Sequence, residues 1–243
     1  MASKERHLQR WSRLTAQPIF EELTCFICSH KDTIRSFKQY ISNDVFHAGT
    51  LVRYECPNCT VIFGDLRFLM LSQEEINRDY EDVYSYYGEG DTMPYILPAL
   101  YSLDFFKDKS LSILDFACGK WNRVIPHLRS QGHNIIGYDK YVGGNDYISN
   151  TLPVEQFDMV YSCNFIEHMI TPMQTITEML TLVKKNGYLI FISDGFDYNI
   201  PHTHYHTFFF NQKSLNYIAT ALSLELTHYI AFKENKMAVF RKL

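Results

Sequence analysis

Four cysteines stand in two pairs of one spacing, Cys25 and Cys28 in TCFICSH and Cys56 and Cys59 in ECPNCTV, with 27 residues between the pairs. A Cys-x-x-Cys turn aims two thiolates at one tetrahedral ion, and two such turns close a four-cysteine shell. Four protein ligands leave no position for a reactive water, so the expected ion is a structural Zn2+. The competing reading is four buried or redox-active thiols.

Acid–base chemistry could come from two places. Glu167 and His168 are adjacent in NFIEHM, and His202, His204 and His206 alternate in PHTHYHTFFF. Histidine titrates near neutrality and suits proton transfer. If the second stretch is extended, alternation puts its three imidazoles on one side, with His204 and His206 the first to test. Each group also has a plainer reading: the Glu167–His168 pair can cap or orient the following helix, and the histidine cluster can be a solvated loop.

A third set reads SILDFACGKWNR, a strand running into a loop and helix that carries Asp115, Ala117, Cys118 and Gly119. Backbone N–H groups around Gly119 are expected to face a ligand at the C-terminal edge of a sheet. Asp139 closes NIIGYD about 20 residues on, the interval at which a carboxylate receives the hydroxyls of a ribose.

These groups need elements to hold them. The chain has 243 residues, 46% hydrophobic and 21% charged, the balance of an ordinary globular protein. That length buries a sizeable core, as one large domain or as a medium domain with an appendage. A formal charge of −4 gives no overall pull toward nucleic acid or an anionic membrane, so a small molecule is the expected partner. MASKERHLQRWSRL lacks the apolar core of a secretory signal, and no apolar run approaches a bilayer span. A cytoplasmic location is expected, where structural disulfides are not.

Three segments follow. Residues 1–70 read as a zinc ribbon, with short strands in IRSFKQYI and GTLVRYEC. Residues 71–110 form a helical bridge: Ser72 and Glu75 have capping-box spacing and open a helix toward Gly88, and a second runs from about Thr92 to Lys107 past Pro94 and Pro98. From 111 to 243 the apolar runs SILDFA, NIIGYD, FDMVYSC and YLIFIS alternate with helical RVIPHLRSQG and PMQTITEMLTLVKKNG, which Gly132 and Gly187 are expected to stop. A helix in SLNYIATALS and a hairpin of LELTHYIAF with MAVFRKL close the chain. The expected fold class is α/β, a Rossmann-like doubly wound sheet of parallel strands plus a C-terminal antiparallel hairpin.

In order, LDFACG, GYD, FDMVYSCNFIEHM and LVKKNGYLIFISD resemble the motifs of class I S-adenosylmethionine-dependent methyltransferases, especially the type 11 and type 23 groups. With the four-cysteine segment in front, nearly the whole chain resembles zinc-binding methyltransferases that act on sugars and related metabolites. The resemblance implies that Asp115, Ala117, Cys118 and Gly119 line the methionine portion of the cofactor, and that Asp139, with its neighbour Lys140, holds the adenosine ribose. Ser162, Cys163 and Asn164 would face the sulfonium. Asp146, in GGNDYIS, would end a short third strand and reach the adenine. Two departures stand out: the family loop has glycine where Ala117 and Trp121 stand, and only 18 residues separate Asp139 from Asp158, too few for the usual helix.

The implied activity is methyl transfer to a small metabolite, a sugar or nucleotide-linked sugar of surface-polysaccharide or natural-product biosynthesis. Two alternatives compete. One is a non-catalytic methyltransferase-like scaffold, supported by Ala117 and Trp121. The other is a metal-assisted RNA ribose methyltransferase, because FIEHM resembles the metal-binding core of enzymes acting on the 3′ ends of small RNAs. Asn164 stands where those enzymes have their first glutamate, and the acidic net charge gives RNA no support.

Overall fold

A computed structural model describes residues 5–6, 20–46, 49–84, 90–120, 122–142, 146–198, 203–232 and 235–243. Trp121 and His202, on which two of the expectations above turn, lie outside the described residues.

The N-terminal part opens with a hairpin of β1 (Glu22–Thr24) and β2 (Lys31–Thr33). Next come β3 (Lys38–Asn43), β4 (Thr50–Glu55) and β5 (Ile62–Gly64), which pair antiparallel as the ribbon reading requires. A short helix α1 (Leu66–Leu69) leads to α2 (Gln73–Tyr84). The capping box forms: Ser72 N–H donates to Glu75 Oε2 at 2.8 Å, and Glu75 N–H to Ser72 Oγ at 3.3 Å. Helix α3 (Met93–Tyr101) is shorter than expected. Leu103 turns extended to bury itself, and a 3-10 turn at Asp104–Lys107 replaces the remaining helix.

The C-terminal part is the doubly wound sheet. Its elements are β6 (Ser112–Phe116), α4 (Val124–Ser130), β7 (Asn134–Tyr138), β8 (Ile148–Ser149), β9 (Phe157–Cys163), α5 (Pro172–Thr181), β10 (Val183–Ser193), β11 (Phe208–Phe209), α6 (Gln212–Ala221), β12 (Leu224–Phe232) and β13 (Asn235–Lys242). Seven of these strands lie in the order β12-β13-β10-β9-β6-β7-β8. The pairings from β8 through β10 are parallel, and β13 runs antiparallel to both its neighbours. Strands β6 and β9, whose crossovers leave in opposite directions, flank the switch point where such sheets bind ligands. Among the described residues no helix joins β7 to β8, as the short spacing predicted.

Gly132 sits at φ +87 and ends α4 as a left-handed cap. Gly187 does something else. Helix α5 already stops at Thr181, because buried Val183 pairs with Phe157 at the head of β9 and the chain bulges out before Tyr188. A Cβ on Gly187 would meet the Asp158 carbonyl oxygen at 2.8 Å, so this glycine permits strand approach within the bulge.

The two parts share one core. Strand β11 leaves the α/β part and pairs with β5, completing a four-stranded sheet β11-β5-β4-β3. Cys25, Phe37, Phe63, Phe208, Phe191 and Phe240 belong to one continuous buried cluster. No described helix is long and apolar enough to cross a membrane.

Candidate active site

The loop after β6 is held by its own residues. Asp115 is buried, and its Oδ2 accepts from the Tyr161 hydroxyl at 2.8 Å and from Asn122 Nδ2 at 2.7 Å. Burial raises its pKa to about 7 against these two donors. Asn122 also donates to the Cys118 carbonyl and accepts the Ile125 N–H, so one side chain closes the loop and ties it to the first turn of α4. The amides around Gly119 are spoken for: Cys118 N–H donates to the Tyr138 carbonyl at 3.1 Å, and Gly119 N–H to Asp139 Oδ2 at 3.0 Å. They therefore shape the loop, contrary to the expectation that they face a ligand directly. Asp139 Oδ1 accepts Tyr141 N–H at 2.9 Å, and Lys140 follows at the exposed rim. Gly137 is required here, since a Cβ would come within 2.5 Å of Ile125 and 2.8 Å of Cys118 Sγ.

Ala117 has φ +57, which explains why glycine is the natural residue at this point of the loop. Left-handed backbone costs a non-glycine residue about 1–2 kcal/mol, partly offset by the chain entropy that glycine adds. Ala117→Gly should therefore raise stability by about 0.5–1 kcal/mol. A thermal midpoint equal to or below wild type would contradict this.

Asp146 is displaced from its expected place. It is exposed and precedes β8, whose parallel pairing with β7 puts Asp146 at the strand's start and Asn150 after its end. With Asn122, Ile125, Pro126, Tyr147 and Ile148 it lines a pocket of about 330 Å³.

At the end of β9 several polar atoms are buried without a hydrogen bond to the described residues: Ser162 Oγ, Asn164 Oδ1 and both carboxylate oxygens of Glu167. Asn164 takes φ +49 while its N–H donates to the Ile192 carbonyl, which turns the chain out of the sheet. Cys163 is half-buried beside them, and burial holds its thiol protonated. Burial, reinforced by the charge of Asp194, pushes the Glu167 carboxyl up to about 8. His168 is driven down to about 4, chiefly by the loss of water around its ring, and its Nδ1 lies 3.3 Å from the Tyr80 hydroxyl on α2.

The loop before β11 delivers His206 to the same place. Thr207 N–H and Oγ1–H both donate to the Glu167 carbonyl, and Oγ1–H also to that of Met169. The rings of His206 and His168 meet edge-on with centroids 4.8 Å apart. Ligand atoms of Glu167, His168 and His206 all lie within 4.8 Å of one another.

His204 does not join them. Residues 204–205 form a turn, so strict alternation fails, and His204 is fully buried between Asp44 (3.2 Å) and Asp79 (3.4 Å). It links the loop after β3, helix α2 and the turn in the core, and it presents no free face to a substrate.

Sequence reasoning passed over Arg53. This fully buried side chain reaches from β4 and donates through Nη2 to the Thr203 carbonyl at 2.6 Å, through Nε and Nη2 to that of His206 at 3.3 and 3.2 Å, and through Nη1 to Ser42 Oγ at 3.1 Å. A lone arginine in the apolar run LVRY was the available signal, but its carbonyl partner on Thr203 stands 150 residues away.

The four N-terminal cysteines converge from two matching turns. Ser29 and Thr60 take φ +56 and +62, and their N–H groups return to the carbonyls of Cys25 and Cys56. Cys25 Sγ lies 3.6 Å from Cys59 Sγ, and Cys28 Sγ 3.5 Å from Cys56 Sγ. A tetrahedral ion with Zn–S bonds of about 2.3 Å would set sulfurs about 3.8 Å apart, so the cluster needs almost no adjustment to hold one.

Residues 92–229 match the family described as a methyltransferase domain. That is more than half of the chain, and the chain belongs to this family. The 1,6-didemethyltoxoflavin-N1-methyltransferase of Burkholderia thailandensis, solved with 1,6-didemethyltoxoflavin and S-adenosylhomocysteine, superposes with a TM-score of 0.53 at 13% identity, over 79% of this chain and 95% of that one. The magnesium protoporphyrin IX methyltransferase of Synechocystis PCC 6803, solved with S-adenosylmethionine, gives 0.50 at 15% identity, over 71% and 98%. Likeness at such identities establishes the fold. No curated protein sequence matches the chain. Family and fold together make it a class I S-adenosylmethionine-dependent methyltransferase.

Proposed function

We propose that this methyltransferase acts on a hydroxyl of a small metabolite, a sugar or nucleotide-linked sugar, and that its four-cysteine cluster holds a structural zinc ion. The observation that carries the acceptor reading is the buried carboxylate of Glu167, without a hydrogen-bond partner among the described residues, beside His168 and His206 at the end of β9. A hydroxyl must lose a proton as it is methylated, and these groups can receive it. The four-cysteine segment in front of such a domain adds the resemblance to sugar-modifying enzymes. When bound, S-adenosylmethionine supplies an electrophilic methyl group on a sulfonium.

The residues fit that cofactor. Asp139 closes β7 with lone pairs left for the ribose hydroxyls after its two backbone bonds, and Lys140 stands beside it. Ala117, Cys118 and Gly119 form the loop that Asp115 braces, and Ser162, Cys163 and Asn164 border the reacting region with two buried polar atoms to offer. The protein's contribution is alignment of acceptor and methyl group, with water kept away. Asp139→Ala should weaken S-adenosylhomocysteine binding by about 1.5–3 kcal/mol. Calorimetry showing unchanged affinity would place the ribose elsewhere.

The acceptor is found by incubating the zinc-loaded protein with a metabolite extract and isotopically labelled cofactor, then identifying labelled products by mass spectrometry. A labelled sugar supports the proposal; label confined to RNA or to a non-hydroxylated compound overturns it.

A further inference from the structure

We propose that Tyr80 is a positioning residue for the acid–base group: its phenol oxygen accepts the His168 Nδ1 proton, which keeps Nε2 bare to take the proton of the acceptor hydroxyl. The inference rests on the hydroxyl-methylation reading and adds to it a residue of helix α2. The contact itself carries it. The Tyr80 oxygen lies 3.3 Å from His168 Nδ1, across 88 residues of sequence. A neutral imidazole has one proton to place, and the bond made by one ring nitrogen decides what the other can do. Loss of water holds the His168 pKa to about 4, so at neutral pH the ring is uncharged and one nitrogen is bare. The Tyr205 carbonyl, which only accepts, also faces the ring, so the ring is a donor toward its protein partners.

Packing fixes the phenol in place. The Tyr80 ring lies against that of Tyr205 with centroids 4.7 Å apart, and packs on the buried cluster of Phe68, Ile76 and Tyr205. Its neighbour Asp79 accepts the Tyr205 hydroxyl at 2.8 Å and lies 3.4 Å from His204 Nε2. Three residues earlier, on the same side of the helix, Asn77 Oδ1 accepts the Tyr141 hydroxyl at 2.8 Å. Helix α2 is thus held against the turn that delivers His206 and against the loop that follows Asp139. Phenylalanine would stack on Tyr205 as well as tyrosine does. What tyrosine adds is the oxygen, and that oxygen meets the histidine.

The chemistry is that of a base oriented by another side chain. The acceptor oxygen bonds to the methyl carbon as the methyl–sulfur bond breaks, that electron pair stays on sulfur, and the hydroxyl proton passes to His168 Nε2. Glu167 and His206 stand within 4.8 Å of the imidazolium so formed and can relay the proton onward.

Long-range proton–nitrogen correlation spectra of the histidine rings, taken on the zinc-loaded full chain, test this without knowledge of the acceptor. The His168 signals are assigned by their loss in His168→Asn. In wild type Nδ1 should be protonated and Nε2 bare. Tyr80→Phe keeps the ring and removes the oxygen, so it should move His168 to a mixture of both tautomers while S-adenosylhomocysteine affinity stays unchanged. Turnover of the acceptor that isotope labelling identifies should fall by about 10–100-fold, less than the roughly 100–10,000-fold that loss of the base itself costs. A His168 proton on Nε2 in wild type, or a tautomer that Tyr80→Phe does not move, overturns the proposal. If the variant misfolds by circular dichroism, the wild-type tautomer decides. An unmoved tautomer in a protein whose labelled product is an O-methylated sugar sinks this inference alone; label on a nitrogen or carbon sinks the reading beneath it.

Discussion

Replacing Cys56 by Ser is expected to release the metal from the four-cysteine cluster and to open residues 20–64 to proteolysis. Structural zinc contributes on the order of 10 kcal/mol in small Cys-ligated modules, comparable to the whole stability of a typical domain. Here the loss has little else to fall back on locally. Strands β1 and β2 are three residues each, and β3 presents a largely exposed face. The apolar side chains Leu23, Ile27, Phe37 and Val61 are buried in the same cluster as the cysteines, so opening the two turns is expected to expose them. The damage should spread along β5 to β11, because those strands are one sheet, and hence to the loop carrying His206. The loop between β6 and β7 is braced separately by Asp115, Asn122 and Asp139, so cofactor binding should outlast acceptor turnover. Elemental analysis, limited proteolysis and S-adenosylhomocysteine calorimetry on Cys56→Ser check each step. A metal-free variant that resists protease as well as wild type would show that the cluster is not structural.

What the sequence disclosed follows from range. The set of four cysteines, the four apolar strands of the parallel sheet and the left-handed cap at Gly132 are written in spacing and composition over a few residues, and they stand where expected. Gly187 misled because glycine has two uses, and the spatial neighbour that decides between them, the Asp158 carbonyl, belongs to another strand. The histidines of PHTHYHTFFF illustrate the same limit. Alternation would have kept His204 and His206 together, but a turn sends one between Asp44 and Asp79 and the other to His168. Tyr161 was invisible as a loop brace because its partner, Asp115, becomes its neighbour only once β6 and β9 pair, and Asn122 because its bond to Asp115 closes an irregular loop that no periodicity marks.

Arg53→Met is expected to impair acceptor turnover while leaving S-adenosylhomocysteine affinity unchanged. Methionine approximates the buried stem but cannot donate, so the His206 carbonyl and Ser42 Oγ lose the guanidinium and the Thr203 carbonyl keeps only the His206 N–H. Leaving such groups unsatisfied in the core costs about 3 kcal/mol, or roughly 6–12 °C in the unfolding midpoint of a chain this size. Most of the cost falls on the loop that carries Thr203 and His206, the rest on Ser42 of β3. Arg53 is the tie between the N-terminal sheet and the backbone of His206, and its guanidinium also lies over the Phe209 ring at 5.0 Å. Lysine keeps the charge but not the planar fork, so Arg53→Lys should recover part of the stability and little of the turnover. The discriminating measurement is the split between the two: a variant that loses stability but keeps full turnover once refolded and zinc-loaded would make Arg53 a core residue only. If turnover falls with cofactor affinity intact, the arginine of the N-terminal sheet positions the acceptor-side histidine. The two parts of the chain would then share a function as well as a core.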